Sequence, residues 1–144
     1  MSAKRSSSAG KPAGFLEDLA AFWRSLPDKP LFFSLVAVWI AFFQFLGNST
    51  FGYTDTASLF AWLNYAYDNS SDDAHGRLVP LVVLALLWFK RQELVAVPKS
   101  PWWPALGLVI AGLLLHVTGY VVQQTRLSVI AFFLGLYGLT GLVW

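Results

Sequence analysis

The chain has 144 residues, 56% hydrophobic and only 12% charged, with a mean hydropathy of +0.56. That charged fraction is about half of what a soluble domain carries. An aromatic content of 17% excludes disorder, and a net charge of +2 is too weak a bias for a nucleic-acid binder. With no Cys, these residues hold no disulfide, thiolate metal site or cysteine nucleophile. The composition implies an all-α fold, a polytopic transmembrane helical bundle.

In chain order, residues 1–14 are rich in Ser, Lys, Ala and Gly and read as a disordered basic cytoplasmic tail. Residues 15–27 read as an interfacial amphipathic helix. Phe15, Leu16, Leu19, Phe22, Trp23 and Leu26 recur at helical spacing, with Glu17, Asp18, Arg24 and Ser25 on the polar side, and Pro27 ends the run. Residues 28–144 form the transmembrane region, with spans expected at about 31–50, 75–90, 102–122 and 127–144. Between the first two, Asp55 to Tyr67 reads as a second interfacial helix, capped by Asp55, with Leu59, Phe60, Leu63 and Tyr67 on its apolar face.

The second span is the shortest. Leu78 to Phe89 makes only ~18 Å of helix, against ~30 Å of hydrocarbon. To cross, it has to draw in Ala74 to Arg77 or thin the bilayer; otherwise it is re-entrant. Pro80 fits the first turn of a helix beginning near Arg77.

Charge sets the orientation. Lys4, Arg5, Lys11, Arg24, Lys29, Lys90, Arg91 and Lys99 fall on one side, and Arg77 and Arg126 on the other with Asp55, Asp68, Asp72 and Asp73. Eight basic residues against two puts both termini in the cytoplasm. Tyr53, Trp88, Trp102, Trp103, Tyr120 and Trp144 suit the headgroup belts.

Three constellations stand out. Asp72-Asp73-Ala74-His75-Gly76-Arg77 brings carboxylates, an imidazole and a guanidinium to an outer membrane edge. Arg77 there can pair a carboxylate or phosphate, and His75 can move a proton. The plainer reading is that these residues decorate a wet helix start, and no metal-ligand spacing accompanies them. His116 lies mid-span, where a hydrogen bond to Thr118 or to a neighbouring helix is expected. Ala131, Gly135, Gly138 and Gly141 form a small-residue stripe suited to another helix, for which Gly107, Gly112 and Gly119 offer a complementary surface.

An outer aromatic stretch precedes His75-Gly76-Arg77-Leu78-Val79-Pro80-Leu81 and then Leu86-Leu87-Trp88, and Arg126-Leu127-Ser128 opens a span with Gly135 and Gly138. From Tyr53 to Trp144 this order resembles the amino-terminal membrane region of the exosortase/archaeosortase family. The resemblance implies a multi-pass protein of a prokaryotic inner (plasma) membrane. It also implies cysteine peptidase or transpeptidase chemistry on surface proteins with a carboxy-terminal sorting signal. The family's Cys, Arg and His triad carries over to no residue here, because Cys is absent, His75 and His116 lie too early, and Arg126 matches a helix-opening position. Scaffolding and substrate access are therefore expected, with His75, Gly76, Arg77 and Pro80 as substrate-binding residues and no cofactor or metal. Trp144 closes an apolar span without a basic flank, so a longer parent protein is expected. The alternative is a non-catalytic four-helix membrane subunit or assembly factor acting through its glycine faces. Transport is weaker, since no intramembrane charge pair or inverted repeat is visible.

Overall fold

The computed structural model describes residues 15–46, 58–98 and 100–143. The 1–14 tail, the end of the first expected span, Tyr53, Asp55, Lys99 and Trp144 lie outside the described residues. Among those described there are helices and turns and no strand.

Helix α1 (Phe15–Ser25) stops where Pro27 would remove a donor, and the Ser25 hydroxyl donates to the Phe22 carbonyl at 2.7 Å. Helix α2 (Lys29–Phe45) begins after Asp28, which is held at φ 39°, and carries Pro30 in its first turn. The two helices meet at 90°. Lys29 Nζ donates to the Leu26 carbonyl at 2.6 Å, and Trp23 stacks on Phe33 with centroids 5.6 Å apart, which fixes this corner.

Helix α3 (Leu59–Asn69) starts four residues after the expected cap. Ser58, not Asp55, is its N-cap: its backbone is extended and its Oγ accepts from the Ala61 N–H at 3.1 Å. The same hydroxyl donates to Gln44 Oε1 at 2.8 Å, tying α3 to the end of α2. Leu59 is fully buried and Phe60 meets Phe132 edge-on at 5.4 Å, so α3 packs on the core as well as bearing an apolar face.

A 3₁₀ turn (Ala74–Leu78) leads into α4 (Val79–Phe89), where Pro80 occupies the first turn. Lys90 breaks the path before the short α5 (Arg91–Ala96). Helices α6 (Ala105–Val121) and α7 (Thr125–Val143) form an antiparallel hairpin. Its corner places Gln123 at φ 57° and sends the Gln124 N–H to the Gly119 carbonyl at 2.8 Å, a helix-ending arrangement usually served by glycine. At the hairpin's other end the Trp102 N–H donates to the Gly141 carbonyl at 2.7 Å.

The hairpin closes on small residues. A Cβ on Gly112 would lie 3.0 Å from the Ala131 carbonyl oxygen, and one on Gly138 would lie 2.9 Å from that of Ala105. At Gly135 it would fall inside the Trp39 ring, whose Nε1–H donates to the Phe132 carbonyl at 3.1 Å. Trp39, Phe43, Leu59, Ala131, Phe132 and Leu139 form the core. The stripe at Ala131, Gly135 and Gly138 is thus occupied by α6 and α2 of the same chain, whereas Gly107 faces open space.

The helices follow the apolar blocks, but α2, α4 and α6 are shorter than the expected spans, whereas α7 begins two residues ahead of its own. Only α7, at 19 residues, is long and apolar enough by itself to cross a membrane among the described residues; α2 reaches that standard only as a bent pair with α1. Trp102 and Trp103 stay outside α6, whose first turn waits for Pro104; α2 gives way to extended backbone at Leu46; and the second block opens as a 3₁₀ turn.

Candidate functional site

A groove of about 490 Å³ opens between α3, the 3₁₀ turn, the start of α4 and α7. One wall is the face of α3 carrying Leu63, Asn64 and Tyr67; the other is Val129, Phe132 and Phe133 of α7. Gly76, Arg77 and Pro80 line it from the turn and the first turn of α4. Three of the four residues expected to bind substrate therefore converge. His75 does not line this groove; it is exposed on the 3₁₀ turn, because that turn directs Gly76 against α3 instead.

The approach at Gly76 is close: a Cβ there would lie 2.5 Å from Tyr67 Cε1. Glycine is needed here for proximity, not for an unusual φ. Arg77 bridges to α3, with Nη2 2.6 Å from Asp68 Oδ1 and 3.2 Å from Asn64 Oδ1, and its guanidinium lies 6.0 Å from the Tyr67 ring centre. Both members of this ion pair are about half exposed (49% and 54%), so the pair holds Arg77 in place weakly and leaves it exchangeable.

A second groove of about 380 Å³ adjoins the first and shares Leu63, Tyr67 and Val129 with it. Asp73 and Arg126 line it without forming an ion pair with each other, which brings the 3₁₀ turn and the start of α7 to the same end of the molecule. The contribution of α3 is what the sequence reading missed. Asn64, Tyr67 and Asp68 lie three to four residues apart on one helical face, and that spacing was the available signal.

His116 lies apart from the grooves, 2% exposed in the core. Its Nε2 is 3.1 Å from the Leu46 carbonyl, which can only accept, so Nε2 carries the proton. In the neutral ring Nδ1 then accepts from the Ser128 hydroxyl at 2.9 Å. Phe43 and Phe42 flank the imidazole at 4.4 and 5.3 Å. The ring joins α2, α6 and α7, while Thr118 bonds its own helix through Leu114. Among the described residues no group of three or more His, Asp or Glu side chains is placed to hold a metal.

The helical fold, the long apolar α7 and the wide apolar exposure along the helices suit a membrane protein. Residues 62–144, from within α3 to the end of the hairpin, match the family model described as transmembrane exosortase (Exosortase_EpsH). The chain belongs to the transmembrane exosortase family. Neither the curated proteins nor the solved structures gave a match.

Proposed function

We propose that this chain forms the scaffold and substrate-access surface of a membrane-embedded cysteine transpeptidase or peptidase. Its substrates would be surface proteins held by a carboxy-terminal membrane helix. In this reading α2, the 3₁₀–α4 unit, α6 and α7 each cross the plasma membrane of a prokaryote, α1 lies on the cytoplasmic leaflet, and both ends of the chain face the cytoplasm. At 17 residues α2 and α6 are ~25 Å long, near the lower limit for a span. The right angle between α1 and α2 suits one helix in the interface and one across it. Contacts of α1 with α5, and of α3 with the 3₁₀ turn, group the connectors at two ends in the way the charge bias requires.

The observation that carries the proposal is the convergence of Gly76, Arg77 and Pro80 in one apolar groove beside α7. An extended segment leaving a substrate's membrane helix can lie there, with Arg77 exchanging Asp68 for a polar group of that segment. The thiolate that attacks the peptide and carries the acyl group has to come from outside these residues, since they contain no Cys. Apart from Gly107, the glycine faces that a separate membrane subunit would need are filled within the chain, which weighs against that alternative.

In the parent enzyme, Arg77→Ala is expected to lower substrate processing roughly tenfold, with normal membrane insertion and abundance. Asp68→Ala, which frees Arg77, should retain most of the activity. Processing unchanged by Arg77→Ala, or equal loss in both variants, would overturn the assignment.

A further inference from the structure

We propose that the groove of about 380 Å³ at the Arg126 end of the molecule is a phospholipid site, suited to a headgroup that carries an amine as well as a phosphate. Asp73 and Arg126 are the charged residues that line it among the described residues, and they are of opposite sign. They form no ion pair with each other, and neither side chain meets another counter-charge among the described residues. Opposite charges left apart at a membrane edge call for a ligand that meets both. A phosphoethanolamine head does so, its phosphate accepting from Arg126 and its ammonium donating to Asp73. The Trp62 indole lines the same groove from α3 and suits the headgroup level.

The surface leading out of the groove distinguishes a lipid from other zwitterions. Arg126, Ile130, Phe133 and Tyr137 follow at i, i+4, i+7 and i+11 along one face of α7. The last three are exposed, whereas Ser128, Ala131, Gly135 and Gly138 on the opposite face are buried. From Arg126 to Tyr137 the stripe runs ~16 Å at 1.5 Å per residue, so an acyl chain hanging from a head at Arg126 lies along it. A polypeptide passing into the neighbouring groove across the shared Leu63, Tyr67 and Val129 would engage Arg126 but leave the stripe bare. The occupant is therefore a phospholipid of the leaflet at that end, with its head between Asp73 and Arg126.

The test uses the full chain in nanodiscs doped with a phosphatidylethanolamine that carries a photoactivatable group on its acyl chain. Crosslinks in the unaltered protein should concentrate at Ile130 and Phe133 over Val117 and Leu114, which are comparably exposed at similar depth on α6. That comparison needs no variant to fold. Even labelling of the two helices would mean ordinary annular lipid and overturn the proposal. At equal mole fraction this probe should be captured roughly fivefold better than the matching phosphatidylglycerol, a preference lost in Asp73→Asn, and Arg126→Gln should lower capture of both. Equal capture of the two lipids by the unaltered protein, or a preference that survives Asp73→Asn, would overturn the assignment of the headgroup. Displacement of the probe by glycerophosphoethanolamine, the head without its chains, would overturn the role given to the α7 stripe. In the longer enzyme proposed above, loss of substrate processing in Arg126→Gln with lipid capture unchanged would give the groove to the polypeptide instead.

Discussion

In α7, Ala131, Gly135 and Gly138 bring the backbone against α6 and the Trp39 ring, whereas α4 (VPLVVLALLWF) contains no Gly, Ser or Thr and, among the described residues, its backbone packs only on the 3₁₀ turn and α5. Both helices are apolar. Yet α7 buries eight of its residues and α4 buries none, with Leu81, Leu84 and Phe89 exposed at 63, 62 and 78%. In a lipid setting one Leu against another gains little over Leu against an acyl chain. Close backbone approach and interhelical hydrogen bonds decide which helices associate. The difference between α4 and α7 is therefore one of small and polar residues, not of hydrophobicity.

The strongest way to break this comparison is at the closest approach. Gly135→Ala places a methyl inside the Trp39 ring, and the displaced indole also loses its bond to the Phe132 carbonyl. A destabilisation of about 3 kcal/mol is expected, read as a lowered midpoint in SDS titration from mixed micelles. A change under about 0.5 kcal/mol would mean that α2 does not rest on α7 at this point.

The polar side of the same argument is tested at His116. His116→Leu removes the shared partner of Ser128 and the Leu46 carbonyl and should cost about 1.5 kcal/mol. Ser128→Ala should cost less, and in the double variant the two losses should fail to add, because both act on one bond. Strict additivity in that cycle would remove the tie between α6 and α7.

Much of this was legible in the sequence, and for identifiable reasons. The apolar blocks gave the positions of α2, α4, α6 and α7; Pro27 marked the end of α1; Pro80 fell in a first turn; and the small-residue stripe on α7 marked a close contact. Helix length was not legible, because hydropathy counts Trp102 and Trp103 as span although Pro101 and Pro104 flank them and the Trp102 N–H bonds to Gly141. Long-range pairing was equally hidden. The partners of His116 are 12 and 70 residues away, and Arg77 finds Asp68 only once the turn folds back on α3. Of the candidate site, the local run 76–80 could be read directly, while its α3 and α7 walls required the tertiary arrangement.

The smallest expected effect sharpens the comparison most. Leu139→Ala in α7, at a side chain 5% exposed, should cost about 2 kcal/mol through lost packing and a residual cavity. Leu86→Ala in α4, at a side chain 57% exposed, should cost less than about 0.5 kcal/mol in the isolated chain, because that leucine meets the same surroundings whether or not the bundle is assembled. Measured in the longer enzyme proposed above, the same pair separates two meanings of the exposed helix. If Leu86→Ala stays neutral there, α4 faces lipid; if its cost rises toward that of Leu139→Ala, another part of the enzyme covers α4. In the second case the groove holding Gly76, Arg77 and Pro80 lies beside a protein wall, and the substrate proposed above would have to reach it along α7.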